Sequence, residues 1–235
     1  MEVDLLIPIN QDSIFCKFTD RKSEEAVIMI HGIGGSLDAI FFTDIAQNSQ
    51  KSTIRFDFPG HGRSPGTADI RYQPQADIVL QLKDYLRKFY HVSSFCLVGH
   101  SKGATVAVLS ASKQDTVVSV CGRINLTVQP VNRFSKDELE MIQNGQTVTK
   151  QLANATYEIK RDSFEERKYL EKIVVQKYKQ IQKVIIVHGD ADEITPLTES
   201  IQLGEEIGQK VIVCKGRGHC DLQWEDCADQ LSAVL

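Results

Sequence analysis

FCLVGHSKGATVAV, residues 95–108, joins a short apolar run to a second run of small apolar residues through Gly99-His100-Ser101-Lys102-Gly103. The first run is typical of a buried strand, and the second predicts a helix that starts at once. Gly-x-Ser-x-Gly between a strand and a helix is the pattern of a nucleophile elbow, in which a sharp turn holds the serine hydroxyl clear of the sheet. A glycine-rich turn without a chemical role would have the same letters, so other residues must decide between the two interpretations.

Apolar runs separated by helix-length segments recur along the chain. This alternation predicts the α/β class, with a mostly parallel, twisted sheet that carries helices on both faces, in a single domain over 1–235. VDLLIPI and IFCKF predict a leading antiparallel pair. Further strands are predicted at 26–30, 52–58, 94–99, 116–122, 183–189 and 210–216, and helices at 76–90, 104–113, 197–207 and 223–235. Residues 123–182 interrupt the alternation with polar, Lys- and Glu-rich sequence, which predicts a short cap insert made of helices that flank a hairpin.

Composition excludes several classes of function. The chain has 235 residues, 42% of them hydrophobic, and a net charge of -4. A chain without a broad basic surface is not expected to bind nucleic acid or anionic lipid. The N-terminal MEVDLLIPINQD resembles no signal peptide, and no apolar run approaches the roughly 20 residues of a membrane helix. We therefore expect a cytoplasmic protein without a membrane partner.

The cysteines are scattered, and three of them lie inside apolar runs, as buried thiols do. We expect all six to be reduced: Cys16, Cys96, Cys121, Cys214, Cys220 and Cys227. A zinc site would have to use Cys214, His219, Cys220 and Cys227, but these contain no C-x-x-C pair. The sequence predicts no metal and no cofactor.

A serine needs a general base to remove its proton, and after an elbow the acid and then the histidine follow in the chain. Only His188 and His219 follow Ser101. His188 stands at the end of its own strand, directly before Gly189-Asp190-Ala191-Asp192, so it opens the acid loop. His219 lies in the loop KGRGHCD after a later strand, which makes it the predicted base.

The acid is predicted in HGDADEITP, which offers Asp190, Asp192 and Glu193 at the end of a buried strand. Asp192 is the preferred candidate because its loop can return over the sheet towards His219. Asp190 is interpreted as a turn residue that bonds its own backbone. The acid would hold the imidazole in one tautomer without accepting the proton itself.

The loop His31-Gly32-Ile33-Gly34-Gly35-Ser36 follows the strand at 26–30. Its glycines allow close backbone approach to a ligand, so the amides of Ile33 and Lys102 are predicted to form an oxyanion hole. His31 is expected to brace this loop. A phosphate-binding loop is disfavoured because G-x-x-x-x-G-K-[ST] is absent.

Taken together, HGIGG, FDFPGHGRS, GHSKGA, HGDADEITP and GRGHCD resemble the α/β-hydrolase superfamily over nearly the whole chain. Within it, the sequence is most similar to serine-aminopeptidase-like and feruloyl-esterase-like serine hydrolases with GHSKG elbows and an NRF-containing insert. The resemblance implies Ser101 as nucleophile, Asp192 as acid, His219 as base, and the Ile33 and Lys102 amides as oxyanion donors. Most members of this type are carboxylic ester hydrolases or uncharacterised. A serine nucleophile excludes dehalogenases and epoxide hydrolases, which need an aspartate.

The predicted function is hydrolysis of small or medium acyl esters, with a small-molecule ester as substrate and an acyl-enzyme intermediate. Peptide or thioester hydrolysis, or ligand binding without turnover, are the alternatives. The short insert predicts a shallow, open acyl pocket without lipase-like interfacial behaviour.

Secondary roles are predicted for six further side chains. Phe134, Tyr157 and Phe164 are candidates to line the acyl side, unless they form the insert's own small core. Lys102 is interpreted as a surface residue or as a contact for a carboxylate-bearing substrate. Asp57 and His61 are expected to fix the loop after their strand without taking part in the chemistry.

Overall fold

The computed structural model of the protein describes residues 1–9, 12–128 and 133–232. The strands within these ranges are β1 Glu2–Ile9, β2 Asp12–Thr19, β3 Glu25–Ile30, β4 Ser52–Phe56, β5 Ser94–His100, β6 Thr116–Val120, β7 Val148–Leu152, β8 Ala155–Ile159, β9 Lys183–Gly189 and β10 Val211–Cys214. The helices are α1 Phe42–Asn48, α2 Gln73–Tyr90, α3 Lys102–Ser110, α4 Lys136–Gln143, α5 Arg161–Gln180, α6 Leu197–Ile207 and α7 Ala228–Leu231, with a 3-10 turn at Trp224–Asp226. No helix among the described residues is both long and apolar enough to cross a bilayer.

Eight strands form one sheet in the order β1-β2-β4-β3-β5-β6-β9-β10. β1 pairs antiparallel with β2, and β2 pairs antiparallel with β4. Every further pair across the sheet, from β4 to β10, is parallel. The predicted leading antiparallel pair and the mostly parallel sheet are thus confirmed.

The hydrophobic core lies on both faces of this sheet. Successive residues of β3 point to opposite faces, as the two-residue period of a strand requires. Ile28 joins the larger cluster, which includes Leu82 of α2 and Val174 of α5. Val27 joins the smaller cluster, which includes Phe42 of α1. This burial on both faces explains why the strands read as continuous apolar runs.

Four loops meet at the carboxyl edge of the parallel strands. They are residues 31–36 after β3, Ser101 after β5, residues 190–196 after β9 and residues 215–223 after β10. Ligand sites of open α/β sheets form at this edge. The sheet therefore brings together segments that are far apart in the sequence.

The insert consists of α4, the antiparallel hairpin β7–β8 and α5, so the predicted helices and hairpin are present. The hairpin packs on Ala68 and Ile70 in a small core of its own. The buried side of α5, including Leu170 and Tyr178, belongs instead to the larger cluster on the main sheet. The single domain with an insert at about 123–182 remains our proposal for the organisation of the chain.

Two elements differ from the sequence prediction. α1 was not predicted, because its seven residues are too few to show a helical period. The helix predicted at 223–235 is broken into the 3-10 turn and α7, while residues 233–235 lie outside the described ranges. Asp226 lies at this break, where its carboxylate accepts a hydrogen bond from the Gln223 amide at 2.9 Å and pairs with Arg217 at 2.7 Å.

Candidate active site

Ser101 occupies the sharp turn between β5 and α3 with φ 56° and ψ -121°. A non-glycine residue held in such a conformation costs about 1–3 kcal/mol, which the surrounding structure must outweigh. The Ser101 amide donates a 2.8 Å hydrogen bond to the carbonyl of Val120. A Cβ on Gly99 would collide with the Gly103 carbonyl, and one on Gly103 would collide with the Ile30 carbonyl. Both glycines are therefore required by the close approach of strand and helix.

His219 lies beside this serine, and its Nε2 is 2.8 Å from the Ser101 hydroxyl oxygen. The loop after β10 carries the imidazole, and the ring Nε2–H of His100 donates to the His219 carbonyl at 2.7 Å. Burial lowers the pKa of His100 to about 4, so this donor ring is neutral near pH 7. His100 thus fixes the backbone of the loop that presents His219.

Asp192 completes a hydrogen-bonded chain, with its Oδ2 at 2.7 Å from Nδ1 of His219. Its Oδ1 accepts hydrogen bonds from the amides of Ile194 and Thr195, each at 2.8 Å. Burial alone would raise the pKa of Asp192. Hydrogen bonds from His188, His219 and the Thr195 amide outweigh that effect and hold the pKa well below its usual range. A charged carboxylate at this position keeps the His219 proton on Nδ1 and leaves Nε2 to accept the serine proton.

The other two candidates of the acid loop have different contacts. Asp190 accepts a 2.6 Å hydrogen bond from the Gly216 amide across the neighbouring loop, so the prediction that it bonds its own turn is wrong. His188 is buried and bonds Ser200 and the Thr195 carbonyl, at 2.7 and 2.9 Å. These contacts agree with the choice of His219 over His188 as the partner of the serine.

The glycine loop after β3 runs directly against Ser101. A Cβ on Gly32 would lie 2.9 Å from the Ser101 Cβ and 3.4 Å from its hydroxyl oxygen, so only a glycine backbone fits here. Within the described residues, the amides of Ile33 and Lys102 donate no hydrogen bond. The first amides of a helix generally have no partner inside it, and Lys102 is the first residue of α3. Two donors are thereby left available beside the hydroxyl.

His31 braces this loop, as predicted. Its Nδ1–H donates to the Gly32 carbonyl at 2.8 Å, and its Nε2 accepts from the Phe58 amide at 3.1 Å. The ring is fully buried, which lowers its pKa to about 3 and keeps it neutral. Both ring nitrogens are used, so His31 is not available for proton transfer.

A second brace reaches the loop from the hairpin. The Tyr157 hydroxyl accepts a hydrogen bond from the Gly34 amide at 2.8 Å and lies 2.6 Å from Nε2 of His61. Since the Nδ1–H of His61 donates to the Pro59 carbonyl at 3.0 Å, its Nε2 accepts the phenol proton. Burial also lowers the pKa of His61. This chain of hydrogen bonds has no obvious sequence signal, because its members are about a hundred residues apart.

Asp57 fixes a neighbouring loop, as expected from its motif. One carboxylate oxygen accepts from the Leu37 amide at 2.8 Å and the other from the Arg63 amide at 2.9 Å. The contacts connect the loop after β4 with the loop after β3. Asp57 therefore shapes the surroundings of Ser101 from outside the reacting group.

The cavity beside Ser101 has a volume of about 550 Å³. Its described lining includes the glycine loop, His219, Ile40, Ile194, Arg133 and the hairpin residues 151–154. A second cavity of about 320 Å³ lies between α4 and α5 and shares no described lining residue with the first. Of these two cavities, the first is the one that Ser101 lines among the described residues.

The three insert aromatics do not line this cavity. Tyr157 is 1% exposed in the hairpin core, and Phe134 and Phe164 pack against that core with ring centroids 5.7 Å apart. The placement contradicts their predicted contact with the acyl group. It matches the alternative that aromatic residues of a small insert form its own core, because a hairpin and a two-turn helix have few other apolar residues to bury.

The Lys102 side chain lies neither on the surface nor in the cavity beside Ser101, so both roles predicted for it are wrong. Its side chain is buried, and Nζ donates to the Arg71 carbonyl at 2.7 Å and to Gln75 Oε1 at 2.8 Å. Burial and the nearby Arg167 lower its pKa well below the ordinary value. Lys102 connects the elbow with the start of α2 and the residues just before it. These partners are about 30 positions away in the sequence, so the elbow motif does not reveal the contact.

Possible metal ligands come together at one place among the described residues, where single atoms of Cys121, His188 and Asp192 lie within 4.8 Å of one another. The alternative zinc set of Cys214, His219, Cys220 and Cys227 is not brought together there. Asp192 and His188 are also fully engaged in the hydrogen bonds described above. The group of three is explained by the support of the acid loop.

Residues 27–234 match the profile of the Alpha/beta hydrolase family, and the chain belongs to that family. The protein is therefore a member of a hydrolase family with the fold that the sequence predicts.

Among solved structures, the chain is similar to Est1E from Butyrivibrio proteoclasticus with bound ferulic acid, at 19% identity and a TM-score of 0.78 over 97% of this chain and 96% of that one. It is also similar to a monoacylglycerol lipase from Paleococcus ferrophilus, at 17% identity and a TM-score of 0.70 over 94% and 97% of the two chains. At these identities the likeness establishes the fold.

A curated relative, a probable lysophospholipase named BODYGUARD 4 from Arabidopsis thaliana, is 32% identical over 112 residues. The match covers 46% of this chain and 26% of that protein, so the chain spans about a quarter of the length of this relative.

Proposed function

We propose that this protein is a serine hydrolase that cleaves small or medium carboxylic esters through an acyl-enzyme. The observation that carries the proposal is the continuous hydrogen-bonded chain from Ser101 through His219 to Asp192, with distances of 2.8 and 2.7 Å. Ser101 and His219 both line the cavity, so a ligand in it would contact this end of the hydrogen-bonded chain. Family membership and esterase- or lipase-named structures of the same fold support the ester as substrate.

Acylation begins when the Ser101 oxygen attacks the ester carbonyl carbon while Nε2 of His219 takes the hydroxyl proton. Asp192 accepts the Nδ1–H hydrogen bond throughout and stabilises the imidazolium that forms. The carbonyl electron pair moves onto oxygen and gives a tetrahedral oxyanion. We assign its two donors to the amides of Ile33 and Lys102, which form no hydrogen bond with described residues.

The intermediate collapses by breaking the bond to the alcohol, which leaves with the proton from His219. Water then attacks the acyl-serine with His219 again as base, and the acid is released as Ser101 regains its proton. His219 serves both half-reactions because its Nε2 is the nitrogen that faces the serine.

The six cysteines are all free, which supports a reducing and hence cytoplasmic location for the protein.

A fluorophosphonate probe tests the nucleophile. We expect labelling of the wild type and of Ser112→Ala, whose serine is exposed and remote in the turn after α3, and no labelling of Ser101→Ala. A series of p-nitrophenyl esters from acetate to octanoate then tests the substrate class, with the highest kcat/KM expected between acetate and butyrate.

Assays with aminoacyl arylamides and with acyl thioesters separate the alternatives. Turnover confined to aminoacyl arylamides would identify a peptidase, and turnover confined to thioesters would identify a thioesterase. A folded protein that neither labels nor turns over any of these substrates would be a ligand-binding member of the family.

A further inference from the structure

Arg133 lines the cavity that contains Ser101. The other described lining residues carry no permanent charge: they are glycines, apolar residues, two serines, two amides, two histidines and Cys220. Because a guanidinium stays protonated at all ordinary pH values, Arg133 is the permanent positive charge among the described lining residues.

This guanidinium has no acceptor of its own among the described residues, where no hydrogen bond or ion pair of Arg133 is found. The remaining positions of the chain, residues 10–11, 129–132 and 233–235, are NQ, QPVN and AVL and contain no Asp or Glu. The two neighbouring arginines, in contrast, each have an acceptor. Arg123 pairs with Glu199 at 3.2 Å, and Arg167 donates to the Leu126 carbonyl at 3.3 Å.

For a half-buried guanidinium, the lack of an acceptor among the described residues is energetically unfavourable. Burial, together with the positive charges of Arg167 and Arg123, lowers the pKa of Arg133 to about 10, which still leaves it charged at neutral pH. A charge removed from water needs a counter-charge or hydrogen-bond acceptors. Guanidinium binds planar carboxylate and phosphate groups with two parallel hydrogen bonds, so an anionic ligand in the cavity would satisfy it.

We propose that Arg133 binds an anionic group, a carboxylate or a phosphate, on the ester substrate and makes the enzyme selective for acidic esters. This inference rests on the proposed esterase activity and names its substrate class. Lys102 cannot take this role, because its Nζ is already bonded to Arg71 and Gln75 behind the elbow.

Matched ester pairs test the proposal. For the carboxylate, the p-nitrophenyl monoester of glutaric acid is compared with p-nitrophenyl pentanoate, which has the same chain length. For the phosphate, 1-butyryl-glycerol 3-phosphate is compared with 1-butyrylglycerol. We expect the acidic member of at least one pair to have a kcat/KM about 10- to 100-fold higher, as a charge-assisted hydrogen-bonded pair would give.

In Arg133→Met, this ratio of acidic to neutral ester is expected to fall to about 1, and in Arg133→Lys to an intermediate value. Arg87→Met, a change of an exposed arginine on α2, is the control and should keep the wild-type ratio. A merely structural role of Arg133 would lower both members of a pair together and leave the ratio unchanged.

The proposal is overturned if neither acidic ester is preferred by the wild type, or if the preference survives in Arg133→Met. If no ester of any kind is cleaved, the esterase proposal fails separately. Calorimetric binding of glutarate and of glycerol 3-phosphate to Ser101→Ala, with and without Arg133→Met, then decides the anion site: binding that depends on Arg133 supports it, and equal or absent binding refutes it.

Discussion

The strand ends that carry Ser101, Asp192 and His219 are fixed mainly by the backbone, whereas hairpin β7–β8 is held over the same cavity mainly by side chains. At the strand ends, glycines allow direct backbone contacts, such as Gly189 against the Arg217 carbonyl. The hairpin instead uses a small apolar core, one isolated bridge at Ala68 and the hydroxyl of Tyr157. The comparison indicates that the sheet determines where the proposed reacting groups lie, while the hairpin adds one side-chain acceptor to the support of the glycine loop.

The largest loss of activity is expected from a substitution at the strand ends. Asp192→Asn keeps the size of the side chain but removes the charge that orients His219, so kcat for ester hydrolysis should fall by about 10⁴-fold. The measurement is steady-state hydrolysis of p-nitrophenyl butyrate. Asp190→Asn is the matched control, because Asp190 bonds Gly216 and not His219. Equal losses in the two variants would show that the acid loop matters only for its fold.

The two regions should also differ in their tolerance of an added methyl group. Gly103→Ala drives a Cβ into the Ile30 carbonyl, and we expect the free energy of unfolding to fall by about 3 kcal/mol. Gly145→Ala, in the turn before the hairpin, meets no atom within 4 Å, and its φ of +82° alone should cost about 1 kcal/mol. Urea unfolding measures both. If Gly145→Ala lowered the free energy of unfolding more than Gly103→Ala, the strand ends would not be the more tightly packed of the two regions.

The support that the hairpin gives to the glycine loop is tested by removing the hydroxyl of Tyr157. Tyr157→Phe leaves the Gly34 amide without its acceptor and His61 without its donor, so the glycine loop should lose about 1–3 kcal/mol of support. We expect kcat to fall about 10-fold with a smaller change in KM. Tyr169→Phe is the control, because that side chain is 62% exposed on α5. Unchanged kcat in Tyr157→Phe would mean that the hairpin does not act on the loop.

The last prediction concerns pH and the internal brace of the glycine loop, whose effect is small near neutral pH. In the folded protein the pKa of His31 is about 3 and that of His100 about 4, whereas an unfolded histidine titrates near 6.5. Above pH 6.5 both states are neutral at these residues. As pH falls below 6.5 the unfolded state binds protons first, so the free energy of unfolding decreases by about 1.4 kcal/mol per pH unit for each histidine, until the folded pKa is reached.

His31→Gln should reduce that slope between pH 6 and 4, while His91→Asn, at an exposed left-handed helix end, should not. Urea unfolding at half-unit pH steps gives the slope. If His31→Gln unfolds with the wild-type pH dependence, the ring does not remain neutral in the folded state.

The sequence was informative where chemistry demands a fixed spacing or order. The glycines around Ser101 predict the elbow, and the chain order of acid and base limits the candidates to a few residues. The preferred pair among them, Asp192 and His219, lies in one hydrogen-bonded chain with Ser101. The sheet was predictable because its strands are buried on both faces and read as apolar runs.

What the sequence did not show depends on contacts between distant residues. The sequence predicts that Tyr157 lines the acyl side of the substrate site. In the structure its hydroxyl accepts a hydrogen bond from the amide of Gly34, 123 positions away. Lys102 was assigned to the surface or to the substrate and is bonded behind the elbow to Arg71 and Gln75. A long polar side chain reads the same in sequence whether its partners are water or buried carbonyls, so neither contact has a local pattern.

The bond between Tyr157 and Gly34 has a consequence for protein engineering. Exchanging residues 148–159 for a larger lid from another hydrolase, in order to widen substrate range, would also remove the acceptor of an amide next to Ile33. A chimera of this kind should retain a phenol at the equivalent position, or carry a replacement acceptor on the grafted lid, to keep turnover while its selectivity changes.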